Sequence, residues 1–260
     1  MTNVAAVRNR PRLVDAVADT LRDWIVTGRL PGGTQLLQIE LAEQLEVSRT
    51  PLREAFRILE RDGLVRTSNN NRTVEVVTIT HEDLRDMFRL RLVTDGLAAR
   101  LAAERGMSAA RQAQAEKLLV ELSRTSKPPF NPAQRVRAHA EFHELISLAS
   151  GNRAMDVLLP LIRTSSAAMY LPMGAEPKSV PRSDNDDADT FEAVLTEADD
   201  QHREILEAIL KGDAEEADRL ARDHSVRTLH LLDDLHTWQH QIKHSSQRKA
   251  KEPKSARNGG

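Results

Sequence analysis

From Thr80 onward the apolar residues recur at helical spacing, and little strand-like patterning interrupts them. Leu, Ala, Arg and Glu, all favourable helix formers, dominate this part of the chain. Thr80 and Asp83 have the spacing of a capping box, which marks the start of a helix. The pattern predicts an all-α bundle over residues 80–244, broken by a Pro- and Ser-rich loop at 172–190. The basic, polar residues 245–260 are expected to form a disordered tail.

Residues 10–79 carry a different pattern. A helix over 12–28 is followed by the short helix "QIELAEQL" and by a third helix with Ser48 as its N-cap. Gly63 is placed to end that helix, and two short strands then flank the polar segment "NNNR". Three helices and a two-stranded wing are the winged helix-turn-helix layout. The predicted fold class is therefore mainly α: an N-terminal winged helix-turn-helix with a small β wing, plus a C-terminal all-α helical bundle.

Three arginines share one face of the third helix. Arg49, Arg53 and Arg57 are spaced at i, i+4 and i+8, opposite an apolar face that would dock on the first helix. Arginine can bridge guanine O6 and N7 or clamp a phosphate, so the face suits DNA, and Arg72 at the wing tip could reach a second groove or the backbone. The alternative is a solvated face tied by ion pairs.

Four histidines form the second candidate site. His139 and His143 are four residues apart in "HAEFH", hence on one helix face, while His202 and His224 lie on two later helical segments. Imidazole is a common ligand of zinc, nickel and related ions. The alternative is that they are ordinary packing residues, because the chain has nine histidines.

A zinc hydrolase is a poor fit to "HAEFH". Such enzymes need HExxH, in which the glutamate follows the first histidine and its carboxylate reaches the metal-bound water. Here Glu141 lies midway between the two histidines and points to the opposite side of the helix. No other catalytic signature appears, so we expect the protein not to be an enzyme.

Arg91 and Asp95 interrupt an apolar stripe of the first bundle helix. Charges in such a stripe are costly unless they are paired. One interpretation is an i, i+4 ion pair along the helix. The other is a pocket in which Arg91 and Asp95 take part in binding a small carboxylate effector.

The segment "GRLPGGTQLLQIELAEQLEVSRTPLREAFRILERDGLV" resembles the DNA-binding domain of GntR-family transcriptional regulators. The helical remainder resembles the FCD ligand-binding domain of their FadR-type branch, so that the similarity covers roughly residues 10–243. It implies that Ser48, Arg49, Thr50 and Arg53 face double-stranded DNA. It also implies that a homodimer binds an inverted-repeat operator. The wing departs from the family, which often has a glycine near the tip.

The resemblance also implies a divalent metal, which many FCD domains hold through an Asp and three His. His143, His202 and His224 match the histidines, whereas His139 stands where the Asp usually is. This departure gives either an all-histidine site, favouring zinc, nickel or copper over manganese, or a degraded site. FCD domains commonly carry an arginine at the position of Arg91, and their effectors are often small organic acids.

Composition adds limits rather than a function. The net charge is −2, the chain has no cysteine, no apolar run is long enough to span a membrane, and the N-terminus lacks a secretory signal. We therefore expect a cytoplasmic homodimer without membrane contact. The sequence predicts a transcriptional regulator, expected to be a repressor, whose operator affinity is controlled by a small acid at or near a metal site. Two alternatives stay open: the ion itself is the effector, or it only stabilises the fold.

Overall fold

The computed structural model describes the backbone of residues 4–68, 73–169, 180–182, 185–189 and 191–251, and the side chains of residues 13–67, 73–169 and 192–237. The N-terminal part contains the helices α1 (Val4–Val26), α2 (Gln38–Gln44) and α3 (Arg49–Arg61) and the strands β1 (Gln35–Leu36), β2 (Val65–Ser68) and β3 (Thr73–Val76). This is the predicted winged helix-turn-helix.

The wing is a small antiparallel sheet with the order β1-β3-β2. β2 pairs with β3 from Val65 opposite Val76 to Ser68 opposite Thr73. β1, which the sequence did not predict, adds Leu36 opposite Val74. A strand of two residues is too short to show an alternating pattern, and only pairing with β3 identifies it.

The C-terminal part contains α4 (His81–Arg105), α5 (Ala109–Thr125), α6 (Pro132–Ala149), a 3-10 helix (Arg153–Leu158), α7 (Leu159–Ala168), α8 (Phe191–Lys211) and α9 (Ala214–Lys251). The predicted capping box is present: Thr80 accepts from the backbone of Asp83, and the Asp83 side chain accepts in return. Asn131 caps α6 through the backbone of Gln134, with Pro132 as its first residue. None of the helices among the described residues is long and apolar enough to cross a membrane.

The hydrophobic core forms two clusters. The first joins the apolar faces of α1 and α3, including Leu21, Leu52 and Phe56, to the base of the bundle at Phe88 and Val136. The second fills the bundle itself and is built from α4, α5, α6, α8 and α9. The core of the winged helix is therefore continuous with the bundle, and helix α6 contributes to both clusters.

Three segments differ from the sequence expectation. Helix α1 begins at Val4, eight residues before the predicted start. The predicted loop at 172–190 contains the antiparallel strands β4 (Val180–Arg182) and β5 (Asn185–Asp189). Helix α9 runs to Lys251, so its backbone is helical over 245–251, where a disordered tail was expected. That stretch has no Gly or Pro to end a helix, whereas Pro253 comes two residues after Lys251 in the sequence.

Candidate nucleic-acid interface and metal centre

Helix α3 has the two faces that its sequence predicts. Leu52, Ala55, Phe56 and Leu59 are buried against the core. Ser48, Arg49, Thr50, Arg53 and Arg57 are all exposed. Ser48 is the N-cap residue, but its side chain makes no capping hydrogen bond to the helix. Two exposed hydroxyl groups at the start of the helix and three exposed guanidinium groups along it thus face solvent. Arg72, the predicted wing contact, lies outside the described residues.

The orientation of α3 is set at its C-terminal end. Asp62 follows the last turn and accepts a hydrogen bond of 2.6 Å from Arg22 of α1, whose guanidinium is buried. Gly63 comes next with φ of +70°, a left-handed conformation that favours glycine. A Cβ at this position would collide with Thr164 of α7. The recognition-helix candidate is therefore tied to α1 by a buried ion pair and packs closely against the bundle.

The four predicted histidines come together in the interior of the bundle. His139 and His143 lie on α6, His202 on α8 and His224 on α9. Each offers a ring nitrogen, and these nitrogen atoms all lie within 4.8 Å of one another. None of the four side chains is more than 5% exposed. Helix packing thus brings together histidines that lie up to 85 positions apart in the sequence.

Hydrogen-bond partners indicate which ring nitrogens point inward. His224 Nδ1 lies 2.9 Å from Gln201 Oε1, which can only accept, so Nδ1 carries the proton and Nε2 has a free lone pair. His143 Nδ1 lies 3.5 Å from Asp95 Oδ2. His143 Nε2 and His202 Nε2 are 3.3 Å apart, which is about the separation of two nitrogens bound to one tetrahedral zinc ion.

The donor set fits a divalent metal ion. Within the described residues, the buried Nδ1 atom of His139 has no hydrogen-bond partner. Buried polar atoms are normally satisfied, so this nitrogen calls for an explanation, and an ion at the centre of the four rings would supply one. Two of the four rings are also held from behind: the outer nitrogen of His143 contacts the Asp95 carboxylate, and that of His224 contacts the Gln201 amide. Histidine ligands of zinc or nickel are commonly oriented by such contacts.

Burial keeps the histidines neutral. Desolvation, as the largest cause, holds the pKa values of His139, His143 and His202 well below their usual range. The same cause lowers the pKa of His224 to about 3. The nearby Arg91 guanidinium adds to the lowering at all four rings. Neutral imidazole is the form that binds metal, so the site is in its ligating state at neutral pH.

Arg91 and Asp95 form the i, i+4 ion pair that was one of the two interpretations of their sequence pattern. Arg91 is fully buried, and its Nε donates to Asp95 Oδ2 at 3.0 Å. Its Nη1 also donates to Ser165 Oγ of α7 at 3.3 Å. Burial raises the pKa of Asp95, and Arg91 opposes that shift. The pair lies directly beside the histidines, because the same carboxylate oxygen contacts His143.

Glu141 points away from the histidines, as its position in "HAEFH" predicts. It is exposed and lies 3.9 Å from Arg137 on the outer face of α6. Its carboxylate therefore cannot act on a metal held by His139 and His143, and the zinc-hydrolase arrangement is absent from this helix.

Sequence reasoning missed two groups of residues around the site. Gln201 supports His224 and immediately precedes His202 in the chain. Arg135 and Asp199 form a buried ion pair at 2.8 Å, one helical turn before His139 and His202 respectively. Spacing gave a usable signal only for Arg135 and Asp199, because a residue one turn from a ligand lies on the same helix face. Gln201 is about 100° around α8 from His202, and its contact with His224 depends on how the helices pack.

Comparison with known proteins decides the family. The profile of the bacterial regulatory proteins of the gntR family matches residues 13–74. The profile of the FCD domain matches residues 86–227, more than half of the chain. The chain belongs to the GntR family of regulators with an FCD domain. The members that it matches are transcriptional regulators and not enzymes, and this GntR protein is likewise a transcriptional regulator.

Two curated relatives are each 30% identical to this regulator. The "Probable D-xylose utilization operon transcriptional repressor" of Paenarthrobacter nicotinovorans aligns over 80% of this chain and 85% of its own length. The "Uncharacterized HTH-type transcriptional regulator YdhC" of Bacillus subtilis (strain 168) aligns over 54% of this chain, which spans 61% of that protein.

Two solved structures share the fold. Escherichia coli McbR/YncC superposes with a TM-score of 0.59 at 20% identity, covering 85% of this chain and 96% of that chain. A GntR-type regulator from Rhodococcus sp. RHA1 superposes with a TM-score of 0.54 at 25% identity, covering 83% of this chain and 97% of that chain.

Proposed function

We propose that this GntR regulator is a repressor whose affinity for its operator is controlled by a small organic acid, bound at or near a divalent metal in the bundle. The observation that carries the proposal is the convergence of four buried, neutral histidines beside a buried arginine. The four imidazoles would hold the ion, with zinc or nickel favoured by an all-nitrogen set. A bound metal supplies a Lewis-acidic centre that can accept a carboxylate oxygen.

Arg91 would bind the carboxylate of the acid. Its Nη1 contact with Ser165 is long, at 3.3 Å, and so is open to replacement by a stronger acceptor. The Oγ of the neighbouring Ser166 is buried and has no partner within the described residues. A carboxylate between α4 and α7 would satisfy both groups, since a guanidinium and a hydroxyl are natural donors to it. Asp95 would then orient Arg91 and His143 rather than touch the effector.

The exposed side chains of α3 would read the operator. Arg49, Arg53 and Arg57 can donate to base edges or phosphates, whereas Ser48 and Thr50 at the helix start suit phosphate contacts. The relatives support a DNA partner, because the D-xylose protein is named a probable operon transcriptional repressor.

A homodimer is supported by an apolar stripe on α4. Leu90, Val93 and Leu97 are 58%, 51% and 39% exposed and lie on one face. Two antiparallel copies crossing near Val93 would bring Leu90 against Leu97 of the partner subunit. The same crossing brings Asp86 toward Arg100 of the partner subunit, so the charges match as well. A self-complementary face of this kind is what a two-fold dimer requires, and its two heads would bind an inverted repeat.

Helix α6 offers a route from the metal to the DNA-binding heads. One face carries His139 and His143, and the other carries Arg137, which donates to Asp19 of α1 at 3.0 Å. A small displacement of α6 on ligand binding would therefore move α1 and, through the Arg22–Asp62 pair, α3. The experiment that tests the proposal is an operator-binding titration with small carboxylates, performed on metal-loaded and metal-stripped protein.

The two alternatives give different outcomes in that titration. If the ion itself is the effector, metal changes operator affinity and carboxylates do not. If the ion is only structural, metal raises the melting temperature, and neither metal nor acid changes the affinity of folded protein for the operator.

A further inference from the structure

A buried ion pair holds α6 and α8 together one turn from the histidines. Arg135 is 2% exposed, and its guanidinium donates to both oxygens of Asp199, at 2.8 and 3.4 Å. It also donates to the Oγ of Ser126 at 2.6 Å and to the carbonyl oxygens of Leu122 at 3.0 Å and Leu195 at 3.4 Å. One side chain thus connects three helices: its own α6, the end of α5 and α8.

Fold stability alone gives a weak reason for this arrangement. Taking two charges out of water costs free energy, and well-packed apolar residues of similar volume often stabilise a protein equally or better. The pair borders the apolar core of the bundle, because Leu122, whose carbonyl oxygen accepts from Arg135, is a fully buried member of that core. A directional pair does offer one thing that apolar packing lacks: it fixes the axial position of one helix against another.

The position of the pair relative to the histidines suggests what is being fixed. Arg135 lies four residues before His139, and Asp199 lies three residues before His202, so each partner is one turn from a candidate ligand on its own helix. The charge of Arg135 also contributes to the lowered pKa of His139 and of His202.

We propose that Arg135 and Asp199 are positioning residues for the metal centre, locking α8 against α6 so that His202 meets His139 and His143 at ligating distance. The inference rests on the proposed metal site. A residue-scale slide of α8 would move His202 by about 1.5 Å, which is far more than the tolerance of about 0.2 Å on a metal–nitrogen bond. Ser126 takes part by donating to Asp199 while accepting from Arg135.

The test is the double variant Arg135→Met/Asp199→Leu, which replaces the pair by apolar side chains of similar size. We expect metal-free protein to unfold in urea at the same or a higher midpoint. The affinity for Zn²⁺, measured by competition with a chromogenic chelator, should nevertheless fall about 10- to 100-fold, as for other outer-shell changes. Co²⁺ in place of Zn²⁺ should give a visible absorption spectrum different from that of the wild type, because the ligand geometry has changed.

The matched control is Glu144→Leu/Arg163→Met. This pair also starts on α6 but leads to α7, which carries none of the four histidines. We expect its Zn²⁺ affinity and Co²⁺ spectrum to equal those of the wild type. A loss of affinity in the first variant no larger than in this control would overturn the inference.

A second variant covers the case in which the double variant does not fold. Arg135→Lys keeps the charge opposite Asp199 but cannot bridge three helices from one ammonium group, so its Zn²⁺ affinity should also fall at least tenfold. Wild-type affinity in Arg135→Lys would contradict the positioning role. Wild-type protein that binds no Zn²⁺ would instead remove the metal site itself, and the two failures are thus distinguishable.

Discussion

The arginine face of α3 and the histidine cluster of the bundle are built in opposite ways. The arginines are exposed and charged, and they lie within nine residues on one helix. The histidines are buried and neutral, and they come from three helices over 86 residues. A surface that meets DNA needs little support beyond a rigid helix, because its partner supplies the counter-charges. An interior ion site has to be assembled by the whole bundle, so its ligands depend on every packed helix around them.

This contrast predicts different responses to pH. The unfolded chain takes up protons on histidine near pH 6.5, whereas the native cluster does not, because burial lowers all four pKa values. The free energy of unfolding of metal-free protein should therefore fall as pH drops below 6.5, down to the native values, which for His224 lie near 3. Each histidine contributes up to about 1.4 kcal/mol per pH unit. Asp95, whose pKa is raised by burial, acts in the opposite direction.

Urea unfolding of metal-free protein between pH 7 and pH 5 measures this effect. Replacing one buried ring, as in His202→Gln, should flatten the curve, and His230→Gln at an exposed position on α9 should not. Equal stability at pH 7 and pH 5 would mean that the histidines are protonated in the native state, contrary to the burial described above.

Loss of one ligand is the next largest expected effect. His143→Ala and His202→Ala should each weaken metal binding well over tenfold, and the melting temperature should then stop responding to added metal. His139→Ala tells whether His139 is a ligand. If it is, metal binding weakens as in the other variants; if three histidines and an additional ligand hold the ion, the metal content is unchanged. Elemental analysis of the purified variants decides this, with His230→Ala as the control. Full occupancy in both His143→Ala and His202→Ala would refute the site.

Substitutions on the exposed arginine face of α3 should lower operator affinity without changing the stability of the fold. Arg49→Ala or Arg53→Ala should cost about 1–3 kcal/mol of operator binding if the side chain reads a base. Fluorescence anisotropy with a labelled operator measures the loss, and urea unfolding checks that the fold is intact. Arg219→Ala, an exposed arginine on α9, is the control. If both α3 variants bind the operator as well as the wild type does, α3 is not the recognition helix.

The smallest effect concerns the link between the two regions. Arg137 and Asp19 are 39% and 29% exposed, and pairs of that kind contribute about 0.2–1 kcal/mol. Arg137→Ala should hardly change stability, yet it should reduce the effect of ligand on operator affinity. Asp19→Ala also removes a partner of the buried Arg22 guanidinium, so it should lower stability as well. The double variant should lose no more of the ligand effect than Asp19→Ala does. Coupling that is unaffected in all three would exclude this ion pair as the route between bundle and head.

The local features of both regions could be predicted from the sequence. The cap at Thr80, the turn at Gly63 and the two faces of α3 all depend on neighbours in the chain. The convergence of His202 and His224 on α6 was a hypothesis from spacing and family resemblance, because periodicity does not tell which helices pack together. The contacts of Asp95 with His143, and of Gln201 with His224, depend on that packing and could not be read from spacing.

The measurement that tests the central claim most directly is operator affinity as a function of added carboxylate. An operator selected from random duplex DNA would be titrated with metal-loaded and with chelator-stripped protein, in the presence of a series of small mono- and dicarboxylates. We expect at least one acid to change the affinity of the metal-loaded protein by about fivefold or more, and to have no effect on the stripped protein or on Arg91→Ala. Identical affinities with and without every acid in metal-loaded protein, or an equal shift after the metal is removed, would contradict control by an acid at a metal site.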